Sequence, residues 1–320
     1  MADIYGDETW GWHPDMIVDD RPRQAQRYTA DMPTAREATI IDGRAIAATL
    51  RATVADRVQA MQRAARLDAI IVCGNPAGEV YATNQARTCE SLGIEYTLHT
   101  LPAEATESDV LDCIVKCNSD GACTGVMVHL PLPEHIDTQA VQRAIDIAKD
   151  VEGVNPANIG GVIYGHRTLV PCTAAAIMHL IESTGVALAG AEVVVVGASD
   201  IVGKPVAVLL MQSEATVTST NIHTKDLIGH TRNADVLIAA AGVPRLVTGE
   251  YVKPGAVVID VGINRVRDEA TGTTSTVGDV DFESVLPVAG FMTPVPGGVG
   301  PVTVAMLLRN TLEACLRSDS

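Results

Sequence analysis

Short apolar runs alternate along this chain with stretches whose apolar positions recur every three to four residues. Between residues 40 and 65, Ile46, Leu50, Val54, Val58 and Met61 fall on one side of a predicted helix. Residues 67–73 read as a buried strand, 75–78 as a turn, and 80–92 as a helix closed by Gly93. The pattern then repeats: a strand over 96–101, a helix over 107–117, a strand over 125–130 that carries His129 near its end, and a helix over 138–147. Alternation of this kind predicts an α/β layer.

A second series starts at Ala191. Four valines, Val193 to Val196, predict a buried strand, Gly197 and Ser199 a tight turn, and 201–210 a helix. Strands over 216–220, 236–241 and 256–262, with a short helix over 226–232, complete a predicted parallel sheet. Gly297, Gly298 and Gly300 interrupt the chain before a last helix over 302–316, which is expected to return onto the first half. The fold class is therefore α/β, two domains around a cleft, the second a Rossmann-like parallel sheet. The expected limits are an N-terminal arm over 1–37, a first domain over 38–170 completed by 302–320, and a second over 171–301, with a hinge or domain entry near 156–173.

A length of 320 residues suits two domains. The formal net charge of −16 argues against a nucleic-acid surface. Seven cysteines, an odd number, without a secretory leader point to reduced thiols in the cytoplasm. Cys113, Cys117 and Cys123 are the tempting metal ligands, but they lack a CxxC knuckle, so packing on an amphipathic helix is expected and no metal. No apolar run is long enough to span a membrane. The arm holds Trp10 and Trp12 and shows little periodicity.

Candidate chemistry gathers in four places. The strand, turn and helix around Gly197 can hold an anionic ligand over a helix N-terminus, although Ser199 replaces the middle glycine of a GxGxxG, and an ordinary crossover fits too. Tyr81 and Gln85 share a helix face, and with His129 and Glu152 they can orient a heterocycle. Only His129 has an ordinary pKa suited to proton exchange near neutrality; equally, it caps a strand while Tyr81 fills a gap and Glu152 faces water. Cys172 reads as a packed thiol rather than a nucleophile, with Thr173 as the helix cap. Residues 260–265 place a polar turn after a strand, and 294–303 can bring backbone close to a flat ligand and then cap a helix.

Together these stretches resemble the methylenetetrahydrofolate dehydrogenase and methenyltetrahydrofolate cyclohydrolase family over about residues 38 to 316. The words that carry the resemblance are NPAGEVYATNQARTCESLG from Asn75, GVMVHLPLP from Gly125, KDVEGVNPANIG from Lys149 and PCT from Pro171. VVVGASDIVGKP from Val194, VIDVGINR from Val258, VGDVDF from Val277 and TPVPGGVGPVTVAMLLRNTLEA from Thr293 follow in the same order. The resemblance implies a first domain and cleft that hold a tetrahydrofolate derivative, and a second domain for NAD or NADP. It implies hydride transfer from the one-carbon methylene group to nicotinamide, then opening of the methenyl bridge by water.

The family's tyrosine falls at Tyr81, its active-site lysine at Gln85, its usual glutamine at His129 and its folate-holding aspartate at Glu152. These four are the expected catalytic residues. Tyr81, Glu152, Pro294, Gly297 and Gly298 are the expected substrate contacts. Expected cofactor contacts are Thr173, Gly197, Ser199, Ile201 and Val202 from one series of motifs and Gly262, Ile263 and Thr303 from the other. A neutral amide at Gln85 cannot manage protons during hydrolysis, so a dehydrogenase with weak or absent cyclohydrolase activity is expected. The alternatives are cyclohydrolysis retained through His129, a non-redox one-carbon enzyme, and a noncatalytic folate or nucleotide sensor. Neither Ala198 nor Asn221 is acidic, and His223 or Lys225 can meet a 2'-phosphate, which leans the cofactor to NADP. The resemblance also implies a homodimer.

Overall fold

The structure is a computed structural model, and it describes residues 37–74, 76–166, 169–267 and 272–318. The N-terminal arm with Trp10 and Trp12 lies outside the described residues. In chain order the first series is β1 (Thr39–Ile40), α1 (Gly43–Gln59), β2 (Arg66–Val72), α2 (Pro76–Ser91), β3 (Glu95–Leu101), α3 (Glu107–Ser119), β4 (Gly125–Val128), α4 (Thr138–Ala144) and α5 (Pro156–Ile163). The second is α6 (Cys172–Ser183), β5 (Glu192–Val196), α7 (Gly203–Gln212), β6 (Thr216–Thr220), α8 (Leu227–Thr231), β7 (Val236–Ala239) and β8 (Val257–Asp260). After these come the hairpin strands β9 (Asn264–Arg267) and β10 (Thr274–Val277), then α9 (Phe282–Val285), β11 (Phe291–Met292) and α10 (Val299–Ser318).

Two parallel sheets result. The smaller runs β3-β2-β4, and the larger runs β1-β11-β8-β7-β5-β6. Their central strands are apolar on both faces because helices cover both sides: β7 and β8 are buried throughout, and so are all four valines of β5. Strand order in the larger sheet reverses at β5, with β6 on one side and β7 on the other. The loops after β5 and β7 therefore flank the crevice where open α/β sheets take ligands. One hydrophobic core joins the two sheets. It includes Leu67 of β2, Ile177 and Leu180 of α6, Val195 of β5 and Leu308 and Leu312 of α10.

The last helix packs on α1 and α6 and reaches β2 and β4, as the periodicity predicts. Its Glu313 pairs with Arg57 of α1 at 2.6 Å, and Asn310 donates to the carbonyls of Val151 and Val170.

Four local details refine the expected elements. The stretch 156–173 opens with a helix: Asn155 caps α5 through Ala157 N–H and Pro156 occupies its first turn. Thr173 is not the cap of α6, which begins at Cys172 after Pro171 and has no side-chain cap bond. The last helix starts earlier than residue 302. That helix begins at Val299, and the Thr303 hydroxyl donates back to the Val299 carbonyl at 3.2 Å. Finally, residues 39–40 extend the larger sheet instead of opening α1, which Asp42 caps through the N–H groups of Arg44 and Ala45.

Candidate active site

Tyr81 and Gln85 occupy successive turns of α2, and β4 delivers His129 as the first residue beyond its end, where His129 N–H donates to Ile70 O at 2.9 Å. The Tyr81 and His129 rings meet edge to face, with centroids 5.8 Å apart and planes at 81°. Gln85 is 3% exposed and accepts a hydrogen bond from the Tyr96 hydroxyl at 3.3 Å. Glu152 Oε2 accepts from Val128 N–H at 3.4 Å, which brings this carboxylate to the end of β4 beside His129. The backbone around it is held firmly. Gly153 has φ +69°, and a Cβ there would lie 2.5 Å from Pro171 N. Asp150 accepts from Val154 N–H, Asn155 N–H and the Asn158 amide, so the turn that carries Glu152 is fixed by a buried acid.

The electrostatics separate the roles of these groups. Burial, and next the Asp150 charge, push the Glu152 carboxyl up to about 7, against the opposing bond from Val128. Tyr81 is 45% exposed, yet the protein packed around its phenol and, next, Glu152 push it up to about 12. Burial lowers the pKa of His129, which favours the neutral imidazole. Gln85 Nε2 and His129 Nε2 are buried atoms with no hydrogen-bond partner within the protein. A polar ligand satisfies such atoms, since leaving them unpaired costs about 1–3 kcal/mol each. Cys172 is the packed thiol expected: its Sγ donates to Val151 O at 3.2 Å, and burial raises its pKa well above the ordinary thiol value.

The dinucleotide candidates gather at the switch point of the larger sheet. Gly197 ends β5 with φ +107°, and a Cβ there would lie 2.1 Å from Ala240 O, so the loops after β5 and β7 touch at a place only glycine fills. Ser199 Oγ accepts from Gly203 N–H at 3.3 Å, and its carbonyl accepts from Lys204 N–H at 3.0 Å. This turns Ile201 and Val202 onto the start of α7, where Val202 provides no side-chain cap. Donor-rich backbone at a helix N-terminus beyond a parallel strand fits a pyrophosphate. Gly262 and Ile263 follow β8, and Ile263 is 72% exposed. Thr173 and Thr303 enter on α6 and α10, which pack together.

Pro294, Gly297 and Gly298 form the loop between β11 and α10. Gly298 abuts Gly43 of α1, whose Cβ would fall 1.9 Å from the Gly298 carbonyl oxygen, and the Arg44 side chain lies over Gly297. Thr293, just before the loop, accepts from Asp260 N–H at 2.8 Å and so pins the loop to the end of β8. A cavity of about 420 Å³ lies between α4, α5 and the start of α7. Ile201 lines it, and none of Tyr81, Gln85, His129 and Glu152 does.

Two supporting acids escaped the reading of the sequence. Asp260 accepts from the N–H groups of Gly262, Asp279 and Val280, and Asp279 accepts from those of Ala241 and Gly242 and from the Asn264 amide. Burial pushes Asp260 up to about 6. The pair ties the loops after β7 and β8 together at the crevice. The signal for it was an Asp at a buried strand end followed, after a hairpin, by Gly-Asp-Val.

Residues 41–152 match the catalytic domain of tetrahydrofolate dehydrogenase/cyclohydrolase, and residues 171–319 match its NAD(P)-binding domain. The chain belongs to the tetrahydrofolate dehydrogenase/cyclohydrolase family. It is 47% identical over 283 residues to the bifunctional protein FolD of Moorella thermoacetica, covering 88% of this chain and 99% of that one. The crystal structure of the bifunctional FolD enzyme of Campylobacter jejuni superposes with a TM-score of 0.83 at 39% identity, covering 88% of this chain and 99% of the other. The Trypanosoma brucei enzyme, solved with NADP cofactor and an inhibitor, gives 0.84 at 39% identity over 90% and 99%. This family member is thus an NAD(P)-dependent methylenetetrahydrofolate dehydrogenase, with a folate derivative as substrate. The Campylobacter jejuni and Trypanosoma brucei relatives are dehydrogenase-cyclohydrolases. Among the described residues no helix is long and apolar enough to cross a membrane.

Proposed function

We propose that this enzyme oxidises 5,10-methylenetetrahydrofolate to the 5,10-methenyl form with NADP and hydrolyses the product weakly or not at all. The observation that carries the reading is Gln85, a buried amide with an unpartnered Nε2 at the place where the family resemblance puts a lysine. An amide can orient a substrate nitrogen or carbonyl, but it neither takes nor gives a proton near neutrality. Nicotinamide supplies the hydride acceptor when NADP is bound. The chain's own part is alignment: Tyr81 presents a phenol that stays protonated, its ring held by His129, and Glu152 grips the polar edge of the pterin.

On this reading, residues 38–170 with 302–320 serve the folate and 171–301 the dinucleotide. Thr173, Gly197, Ser199, Ile201, Val202, Gly262, Ile263 and Thr303 are its cofactor contacts, and Pro294, Gly297 and Gly298 join Tyr81 and Glu152 against the substrate. NADP is chosen over NAD because Asn221, at the end of β6, is not acidic and Lys225 lies four residues on.

Retained cyclohydrolysis is the second reading. It is favoured by the neutral, unpartnered His129 imidazole and by a Glu152 carboxyl that titrates near neutrality. An anaerobic assay with methylenetetrahydrofolate and NADP, separating methenyl from 10-formyl products, decides between them. Accumulating methenyl product is expected, with enzyme adding little to its spontaneous opening. Gln85→Lys combined with His129→Gln is expected to raise the hydrolytic rate by about 100-fold. Efficient 10-formyl production by the parent overturns the reading, as does no gain in the double variant. No reduced NADP despite folate binding moves the assignment to a non-redox enzyme or a sensor.

A further inference from the structure

The face of the smaller sheet turned away from Gln85 carries a second cluster of reactive side chains. Along β3, Tyr96 reaches Gln85 of α2, whereas His99, three residues on, reaches α3 on the opposite face. Cys113 and Cys117 stand one turn apart on α3 and are both buried there. One ring nitrogen of His99 and the two sulfurs all lie within 4.8 Å of one another, and Nε2 is 3.6 Å from the Cys117 sulfur. Asp68 of β2, 1% exposed, places Oδ1 2.7 Å from the same Nε2, and Arg66 Nε holds its Oδ2 at 2.7 Å. Cys123 is not part of the group, since its Sγ donates to Gly125 O.

We propose that His99, Cys113 and Cys117 form a binding site for a zinc-class divalent cation, separate from the catalytic constellation, with Asp68 hydrogen-bonded to His99 beside them. The donor set decides the class: two sulfurs and one imidazole, with the fourth position left to solvent, suit a borderline-soft tetrahedral ion and not a hard cation such as magnesium. The spacing agrees. Metal–sulfur and metal–nitrogen bonds of about 2.3 and 2.0 Å set a tetrahedral S···N edge of about 3.5 Å, and the Cys117 Sγ to His99 Nε2 separation is 3.6 Å. Asp68, held by Arg66 through both of its oxygens, is the outer carboxylate that orients the His99 ring. An entry path exists as well. The His99 side chain is 32% exposed and borders a cavity of about 270 Å³ that Cys113, Cys117 and Asp68 also line. Occupancy would bolt α3 to β3.

The test uses the full chain, reduced and stripped with chelator, titrated with Co²⁺. About one equivalent is expected to give the near-ultraviolet thiolate charge-transfer band and visible bands of a tetrahedral cobalt site, and Zn²⁺ is expected to bleach both. Cys117→Ser removes most of the charge-transfer intensity, and His99→Asn, at a part-exposed side chain, weakens cobalt affinity by at least about tenfold with folding intact by circular dichroism. Cys73→Ser, outside the cluster, leaves the spectrum unchanged. A parent chain that gives no cobalt bands overturns the proposal, and so do bands that persist unchanged in both Cys117→Ser and His99→Asn.

Discussion

Glu152 is where the chemistry of single residues in this site becomes measurable. Its carboxyl titrates at about 7 in the folded chain against an ordinary value of 4.5, because burial and the Asp150 charge disfavour the ionised form. Between those two values the folded state binds the proton more tightly than the unfolded chain does. Stability from this residue is therefore full below pH 4.5, falls as pH rises towards 7, and levels off above it. The upper bound of the loss is about 3 kcal/mol, at 1.36 kcal/mol for each pH unit of displacement. Denaturant titrations of the parent and Glu152→Gln from pH 4.5 to 8 check this. The parent should lose stability relative to the variant across that range, and parallel profiles would show that Glu152 is not desolvated. On the proposed reading folate binding would shift the same balance, because neutral N–H donors of the pterin favour the carboxylate.

The elements of both sheets were legible in the sequence wherever apolar runs and helical spacing were long, as at β2, β5 and α3. Short pieces were not. The pair Thr39–Ile40 forms a strand only because β11 accepts it, and the β9–β10 hairpin is largely exposed, so neither leaves an apolar pattern. For the site, four family positions could be placed by motif, but the meeting of Tyr81 with His129 depends on where β4 stops. The Asp260–Asp279 pin joins residues 19 apart through backbone donors that no spacing rule reveals. His99 likewise meets Cys113 and Cys117 only through the order β3-β2-β4. At the scale of elements the decisive joint is the one between β5 and the loop after β7. Gly197→Ala would force φ +107° on a residue with a Cβ and drive that atom into Ala240 O. Strain of this kind costs about 1–3 kcal/mol before any clash is relieved. The expected result is a lower melting temperature together with a weaker NADP affinity measured by titration, while folate-side binding changes less. An unchanged melting temperature would mean that the two loops do not touch as described.

At the scale of the whole molecule, the two sheets share one core between them, in addition to the smaller cluster that each holds under its other face. Leu67 from the smaller sheet, Val195 from the larger, and Ile177, Leu308 and Leu312 from the helices between them belong to a single buried cluster. The buried Asn310 amide ties α10 to the carbonyls of Val151 and Val170, at the turns that carry Glu152 and lead into α6. Losing one sheet would expose the apolar face of α6 and α10, at roughly 25 cal/mol for each Å² uncovered, so partial unfolding is strongly disfavoured. Residues 37–318 should then melt in one calorimetric transition, with van't Hoff and calorimetric enthalpies in agreement. NADP at 100 times its Kd should raise the whole transition by about 2.7 kcal/mol of stability, although its expected contacts lie mostly on the larger sheet. Two resolved transitions, only one of which NADP moves, would show that the sheets are independent units. A dehydrogenase has a use for the coupled arrangement, because hydride transfer depends on holding folate and nicotinamide in one geometry, and a core continuous between the two sheets fixes it.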